Sequence, residues 1–396
     1  MKTLYRSLVL FTALALAALP APTTAATNAS PEQLTAARHL LQAMAMPKII
    51  RNALARAPNI DQESYEVAQH MSRNVGDQEV CALLAPVYGK YAPPSEIERL
   101  ATAYESTFGR RLISDLLAQQ GLLEGLRKPP LTAAEIREAR AIDALPAAKA
   151  ISAAGVTLKT ENQTALQAWR NAYYANYTRQ GLAALRELNA TIANRQAGDP
   201  EPQLKFQRTG LATLDKIVAL MAEHSISFSN AGMAMRSDLE SYDLRHLLTA
   251  DRLTSADGIA LSKRRLAQSE ERMERFLRVM DLLQTSFRQR LAKTVQNQKS
   301  LASFEPMIAR EYEFIVSFGE NQRSLFDSLG RVLAFSQSRL DKLHLKDKHL
   351  IFDDDADLQV YNTLMEKIRQ LGEEESKLLG RIREEAPTAP KAQNAG

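Results

Sequence analysis

The sequence has little of what cross-linked proteins and most enzymes need. Cys81 is the only cysteine among 396 residues, so no disulfide can form within the chain. The chain has no glycine-rich phosphate loop, no GxSxG and no HExxH segment, which are the short signatures of nucleotide, serine-hydrolase and zinc-protease sites. Valine and isoleucine are sparse beside alanine, leucine, arginine, glutamine and glutamate. This composition favours helices, and we expect no strand-rich interval.

An excess of one charge and a cluster of histidines are also missing. The 50 basic and 46 acidic residues leave a net charge of +4, and basic groups such as residues 263–265 alternate with acids. We therefore expect no nucleic-acid partner. The six histidines are scattered, and the acidic residues 353–357 lack the spacing of an EF-hand and fit a helix N-terminus. We predict no metal and no cofactor.

One apolar run is present, near the start of the chain. Residues 8–19 follow the basic residues Lys2 and Arg6 and precede the small residues Ala25 and Ala26. This order is typical of a secretory signal peptide, which we predict over residues 1–26, with a periplasmic or secreted mature protein. No later run approaches the roughly 18 apolar residues that cross a bilayer, so we expect no stable membrane insertion.

Cys81 allows two interpretations. An odd cysteine in an exported protein can pair with another chain or act as a reactive thiol. Cys81 lies, however, in an apolar segment with Val80, Leu83 and Leu84, where a small buried side chain is expected. The sequence leaves both interpretations open.

Several short segments carry helix-start signals. The first is Ser30, an N-cap residue with Pro31 in the first turn and Gln33 at the third position. Two others match the capping box, in which two side chains satisfy free backbone N–H groups of a new helix. They are Ser95 with Glu98, and Thr132 with Glu135. Gly109 predicts the end of the second helix, because glycine adopts the left-handed conformation at low cost. The hairpins at residues 95–112 and 132–151 align loosely, either as an internal repeat or as two ordinary helical hairpins.

Two stretches of this region follow one another in a suggestive order. They are residues 34–50 (LTAARHLLQAMAMPKII) and 95–112 (SEIERLATAYESTFGRRL). Together they resemble the exported bacterial family catalogued as domain of unknown function 2059. The matching motif residues are Tyr104, Ser106, Gly109 and Arg111, whereas Ala103 replaces the family's aromatic residue and Thr107 its proline. The resemblance covers residues 30–155. It implies an all-helical envelope module and supplies no catalytic residues.

An aromatic group lies on the helix predicted for residues 165–196. Trp169, the only tryptophan, precedes Tyr173, Tyr174 and Tyr177. Such a group can form a ligand or sugar platform, and it can equally form a packed core at helical spacing. The polar residues 157–163 before it predict a junction.

Apolar residues recur every seven positions in the longest helical run, residues 255–300. The row is Ile259, Leu266, Met273, Met280 and Phe287, and Phe276 with Leu283 adds a second row. This spacing indicates coiled-coil-like packing, either within one bundle or between chains. We take Leu266, Met273, Met280 and Phe287 as a candidate interaction face.

These observations predict an all-α protein with two parts and a tail. Residues 30–155 form a small helical domain, residues 160–385 form a long-helix bundle with coiled-coil-like packing, and residues 386–396 are disordered. We expect a soluble envelope protein that is not an enzyme and that binds or scaffolds another envelope protein, or a second copy, through its bundle. The alternative is a periplasmic hydrolase that acts on the cell wall through a carboxylate pair, although no spacing argues for one.

Overall fold

The computed structural model describes residues 29–59, 62–119, 121, 130–195, 199–295 and 298–384. In this part the chain forms fourteen α-helices and one two-stranded hairpin, so the all-α prediction is confirmed. None of the described helices is both long enough and apolar enough to cross a bilayer. The predicted signal peptide (residues 1–26) and the predicted tail (386–396) lie outside the described residues.

Eight short helices and one helix of 39 residues make up the first group of elements. They are α1 Pro31–Ala43, α2 Met46–Ala55, α3 Gln62–Asn74, α4 Asp77–Gly89, α5 Pro94–Glu105, α6 Thr107–Gln119, α7 Ala133–Asp143, α8 Pro146–Ala153 and α9 Gly155–Ala193. The second group is α10 Ala212–Ser241, α11 Ala250–Leu253, α12 Ala256–Thr294, α13 Gln298–Ser338, β1 Leu343–Lys346, β2 His349–Phe352 and α14 Asp355–Glu384.

The chain divides into two compact units. The short-helix unit comprises the residues up to Gln180 together with Arg208–Asp215, and the long-helix unit comprises Gly181–Gln207 and the residues from Lys216 onward. The division falls within α9, whereas the predicted domain boundary at residues 155–160 coincides with the start of this helix. The predicted junction at residues 157–163 is wrong, because these residues are helical. Their polar side chains do not interrupt the helix, since Leu158, Asn162 and Leu166 are buried at four-residue spacing. Asn162 donates to the Tyr88 hydroxyl at 3.4 Å.

The short-helix unit is built around α1, which packs most closely against α4 and α5. Leu40 and Leu41 of α1, Leu84 of α4 and Leu100 of α5 are buried in its core. The predicted N-cap residue of α1 is confirmed, with Ser30 Oγ accepting from the Gln33 N–H. The box at Thr132 and Glu135 is confirmed at the start of α7.

Two local predictions in this unit are wrong. Helix α5 begins at Pro94 without a side-chain cap, so Ser95 is not its N-cap residue. Proline displaces the cap because its fixed backbone angle already suits the first helical turn. Gly109 does not end a helix, since α5 ends at Glu105 and Gly109 lies inside α6.

In the long-helix unit, α13 packs closely against α12 on one side and α14 on the other. The pairs Glu274–Arg323 and Arg288–Glu305 show that α12 and α13 run antiparallel. Residues 225–235, for which we considered a loop or an irregular helix, belong to the continuous helix α10. One core cluster lies around Leu266, Met273 and Phe318, and a second lies around Phe287 and Ile308.

The described part of the chain contains one short hairpin, which the sequence did not predict. Strands β1 and β2 pair antiparallel, with Lys346 opposite His349 and Leu343 opposite Phe352. The turn residues Asp347 and Lys348 both have positive φ, of 52° and 66°. Such a turn normally holds asparagine and glycine, so neither its sequence nor the four-residue strands gave a recognisable signal.

Candidate functional site

The four residues of the candidate interaction face lie inside the long-helix unit. Leu266, Met273, Met280 and Phe287 are all buried. Leu266 and Met273 belong to the first core cluster and Phe287 to the second. Their seven-residue spacing therefore serves packing within the chain, and in this fold an outside partner does not reach them.

The buried face of α12 has a second row that is largely polar. Its members are Ser262, Ser269, Leu277, Gln284 and Leu291. Gln284 donates from Nε2 to the carbonyl oxygen of Ile308 on α13 at 2.9 Å, whereas its Oε1 has no hydrogen-bond partner among the described residues. Phe276 and Leu283, which we predicted for this row, are only partly buried. Polar groups at such positions fix the register of two helices and lower their stability.

Helix α10 packs over one side of the contact between α12 and α13. The ring of His224 stacks on Phe287, with centroids 4.3 Å apart, and its Nε2 lies 2.9 Å from a carboxylate oxygen of Glu311 on α13. Arg290 of α12 donates two hydrogen bonds to Glu223, both at 2.6 Å. These bonds lower the pKa of the Glu223 carboxyl. The buried Phe287 ring of α12 thus packs against His224, whose ring Glu311 of α13 holds in place through a hydrogen bond.

Another face of the α12–α13 pair carries exposed apolar side chains between two ion pairs. Arg323 donates to both carboxylate oxygens of Glu274, at 2.6 and 3.0 Å, and so lowers its pKa. Arg288 reaches Glu305 at 3.1 Å. Tyr312 is 52% exposed and Val316 is 40% exposed. We call the surface formed by Tyr312, Val316 and the two ion pairs the outer face.

Helical geometry places these groups together. Tyr312 and Val316 are four residues apart and therefore neighbours on the surface of α13. Glu305 lies two turns before Tyr312, and Arg323 lies two turns after Val316, so all four keep to one side of the helix. The outer face is an apolar centre with charge of both signs at its two ends.

The aromatic group predicted as a platform or a core belongs to the short-helix unit. Trp169 of α9 donates from Nε1 to Glu79 of α4 at 3.2 Å. The Tyr173 hydroxyl lies 2.8 Å from His70 Nδ1 of α3, and the rings of Tyr173 and Tyr177 are 5.2 Å apart. Burial raises the pKa of the Tyr173 hydroxyl. All four aromatic side chains are half-buried, so the group packs against α3 and α4 at the surface of the unit and does not form a closed core.

The motif residues Tyr104, Ser106, Gly109 and Arg111 hold one corner of the short-helix unit. Tyr104 is buried, and Ser106 Oγ accepts from the N–H of Gly109 at 2.9 Å, which caps α6. A Cβ added at Gly109 would lie 2.6 Å from the Cα of Tyr104, so only glycine lets the two helices meet. Arg111 forms an ion pair with Glu135 of α7. Each residue has a structural role.

One close group of carboxylates surrounds His39 on α1. Its Nδ1 lies 2.5 Å from Glu98 and its Nε2 lies 3.0 Å from Glu105, both on α5. The bond to Glu98 raises the pKa of His39, against the effect of burial. The imidazole fills the space between the carboxylates, so this pair cannot flank a glycosidic bond. The sequence gave no sign of the group, because its members are 59 and 66 residues apart. The hydrolase alternative stays a prediction.

Cys81 is 1% exposed, and burial raises the pKa of its thiol to about 11. A buried, protonated thiol is a poor nucleophile, which favours the small buried side chain over the reactive one. Among the described side chains, no three from histidine, cysteine, aspartate and glutamate are placed to hold a metal ion.

Comparisons with known proteins give no relative. No family model, no curated protein and no solved structure matches the chain. The resemblance of residues 30–155 to domain of unknown function 2059 therefore stays a prediction.

Proposed function

We propose that the protein is an exported, non-enzymatic binding protein of the bacterial envelope, and that its outer face binds another envelope protein. The distribution of exposed apolar side chains carries this proposal. Of ten large apolar side chains exposed in the described part, nine lie in the long-helix unit. Exposed apolar groups that share one face mark protein interaction sites. Export is supported by the basic, apolar and small-residue order of residues 1–26.

The chemistry of the outer face indicates the form of the partner. Tyr312 and Val316 offer two apolar anchors one helical turn apart, and tyrosine is frequent at the energetic centre of interfaces. The pairs Glu274–Arg323 and Arg288–Glu305 border these anchors with both charges. An amphipathic helix that lies along α13 fits this surface, with apolar residues in its middle and charged residues near its ends.

Site-specific photocrosslinking in intact cells tests this proposal. A photoreactive amino acid at Tyr312 should trap one reproducible envelope protein. The same group at Val156 is the matched control, since Val156 is also an exposed apolar residue, at 81%, and belongs to the short-helix unit. Val316→Asp should remove the crosslink at Tyr312 and weaken binding about tenfold or more. Equal crosslinks at both positions, or none at Tyr312 in a protein with normal helix content, would overturn the proposal.

A further inference from the structure

In the hairpin of the long-helix unit, the backbone N–H and C=O groups of successive residues point alternately toward the other strand and away from it. Its two-residue turn makes Lys346 and His349 a hydrogen-bonded pair. The Asp353 N–H donates to the Lys342 carbonyl at 3.2 Å, which continues the same alternation. The residues between these pairs therefore direct their N–H and C=O groups away from the other strand.

Both edges of the hairpin are unpaired within the described part of the chain. On β1 the outward groups belong to Leu343 and Leu345, and on β2 to Leu350 and Phe352. No other described strand pairs with either edge. Free edges are templates for a further strand, so the side chains beside each edge decide which strand can bind.

Strand β1 does not suit a second copy of itself. An antiparallel pair of β1 strands around a two-fold axis sets Leu343 opposite Leu345, which places His344 opposite His344 of the second copy. It also places Lys346 opposite Lys342. Like charges directly across a strand pair are destabilising. Self-association through β1 is therefore disfavoured.

Strand β2 is complementary to itself. The equivalent pairing sets Leu350 opposite Phe352 and brings Ile351, which is 42% exposed, opposite Ile351 of the second copy. His349 then faces Asp353 at both ends of the pairing, where the carboxylate also lies 2.9 Å from His344 Nε2 of its own hairpin. Each of these pairs is favourable, either apolar with apolar or imidazole with carboxylate.

We propose that two copies of the protein associate edge to edge through β2, in antiparallel register about Ile351, to form a four-stranded sheet. The pairing supplies four backbone hydrogen bonds, one from each outward N–H of Leu350 and Phe352 in the two copies. It covers Ile351 on both copies. The inference goes beyond the proposed function and does not depend on it, because the outer face and β2 belong to different elements.

Disulfide trapping of the purified full-length protein tests this register. Across the two-fold axis the Cα atoms of residue 351 should lie about 4.5 Å apart, as in a non-hydrogen-bonded pair, which a disulfide spans. Ile351→Cys should therefore give a covalent dimer on oxidation with copper phenanthroline. Leu345→Cys is the matched control, since Leu345 is 50% exposed but lies on β1, and it should stay monomeric. The buried Cys81 should give no background.

A second variant measures the association without a crosslink. Sedimentation of the unmodified protein should show a dimer that dissociates on dilution, and Ile351→Lys should weaken it at least about tenfold, because two lysines then face each other. Position 351 is exposed, so the substitution should leave the circular dichroism spectrum unchanged. A monomer at every concentration, a crosslink at Leu345→Cys, or a reactive thiol in Ile351→Cys that forms no dimer would each overturn the proposal.

Discussion

The two units bury apolar side chains alike and differ in where polar side chains are buried and apolar ones exposed. Both contain large apolar side chains that are fully buried, such as Leu40 and Leu41 in the short-helix unit and Leu253, Leu291 and Leu333 in the long-helix unit. Eight of the eleven buried polar or charged residues in the described part, and nine of its ten exposed large apolar residues, belong to the long-helix unit. Apolar burial supplies most of the folding free energy, and buried polar groups contribute mainly to register. The long-helix unit thus carries most of the side chains that suit specific pairing.

Matched leucine truncations test this contrast most strongly. Leu41→Ala removes a fully buried side chain of α1 and should lower the free energy of unfolding by about 2–5 kcal/mol. Leu282→Ala removes an exposed leucine of α12 and should change it by less than about 0.5 kcal/mol. Urea unfolding followed by circular dichroism gives both values. Similar losses at the two positions would contradict the contrast.

A single methyl group tests how tightly the short-helix unit is packed. Gly109→Ala places a Cβ against the backbone of Ala103 and Tyr104, so α5 and α6 must separate. We expect a loss of about 1–3 kcal/mol in the free energy of unfolding. Gly76→Ala is the control, since nothing lies within 4 Å of the added carbon. If Gly109→Ala leaves the free energy of unfolding unchanged, the contact between α5 and α6 is loosely packed.

In the long-helix unit, an apolar substitution at a buried polar position should leave the free energy of unfolding unchanged or raise it. Gln284→Leu removes a buried amide whose oxygen has no partner in the described part of the chain. The variant also loses the bond to Ile308, so we expect either no change or a gain of about 1 kcal/mol. Thermal unfolding at a fixed protein concentration measures it. A decrease of more than about 1 kcal/mol in the free energy of unfolding would show that Gln284 stabilises the contact between α12 and α13.

The smallest expected effect is a pH dependence confined to the short-helix unit. The pKa of His39 is raised in the folded protein, so its bonds to Glu98 and Glu105 stabilise fully below pH 6.5 and are lost as pH rises through the raised pKa. The effect should stay below about 1 kcal/mol, since all three side chains are partly exposed. Unfolding of the wild type and His39→Gln should therefore differ more at pH 5.5 than at pH 9. An equal difference at both pH values would exclude this role of His39.

Local signals in the sequence predicted local structure well. The caps at Ser30 and Thr132 were correct, because a cap depends on residues within one helical turn. The apolar row of α12 was also correct, since its period alone identifies a buried helix face. Its second row was missed because Ser262 and Gln284 give no apolar signal.

Other features of the fold and of the candidate site depend on residues that the sequence alone does not bring together. The role of Gly109 depends on Tyr104 of the preceding helix, and the group at His39 depends on α5. The hairpin depends on a turn, Asp347 and Lys348, that lacks the usual residues. The proposed outer face was not predicted for another reason. Apolar periodicity predicts which residues become buried, whereas Tyr312 and Val316 are exposed.

Because Cys81 is buried, the rate at which its thiol reacts depends on how often the short-helix unit opens. Burial raises the pKa of the thiol to about 11, so the reactive thiolate is scarce at pH 7 while the unit is closed. A thiol reagent then reacts almost entirely with molecules in which α4 has left its neighbours. The alkylation rate of the unmodified protein therefore reports how often the unit opens under native conditions, without any added probe.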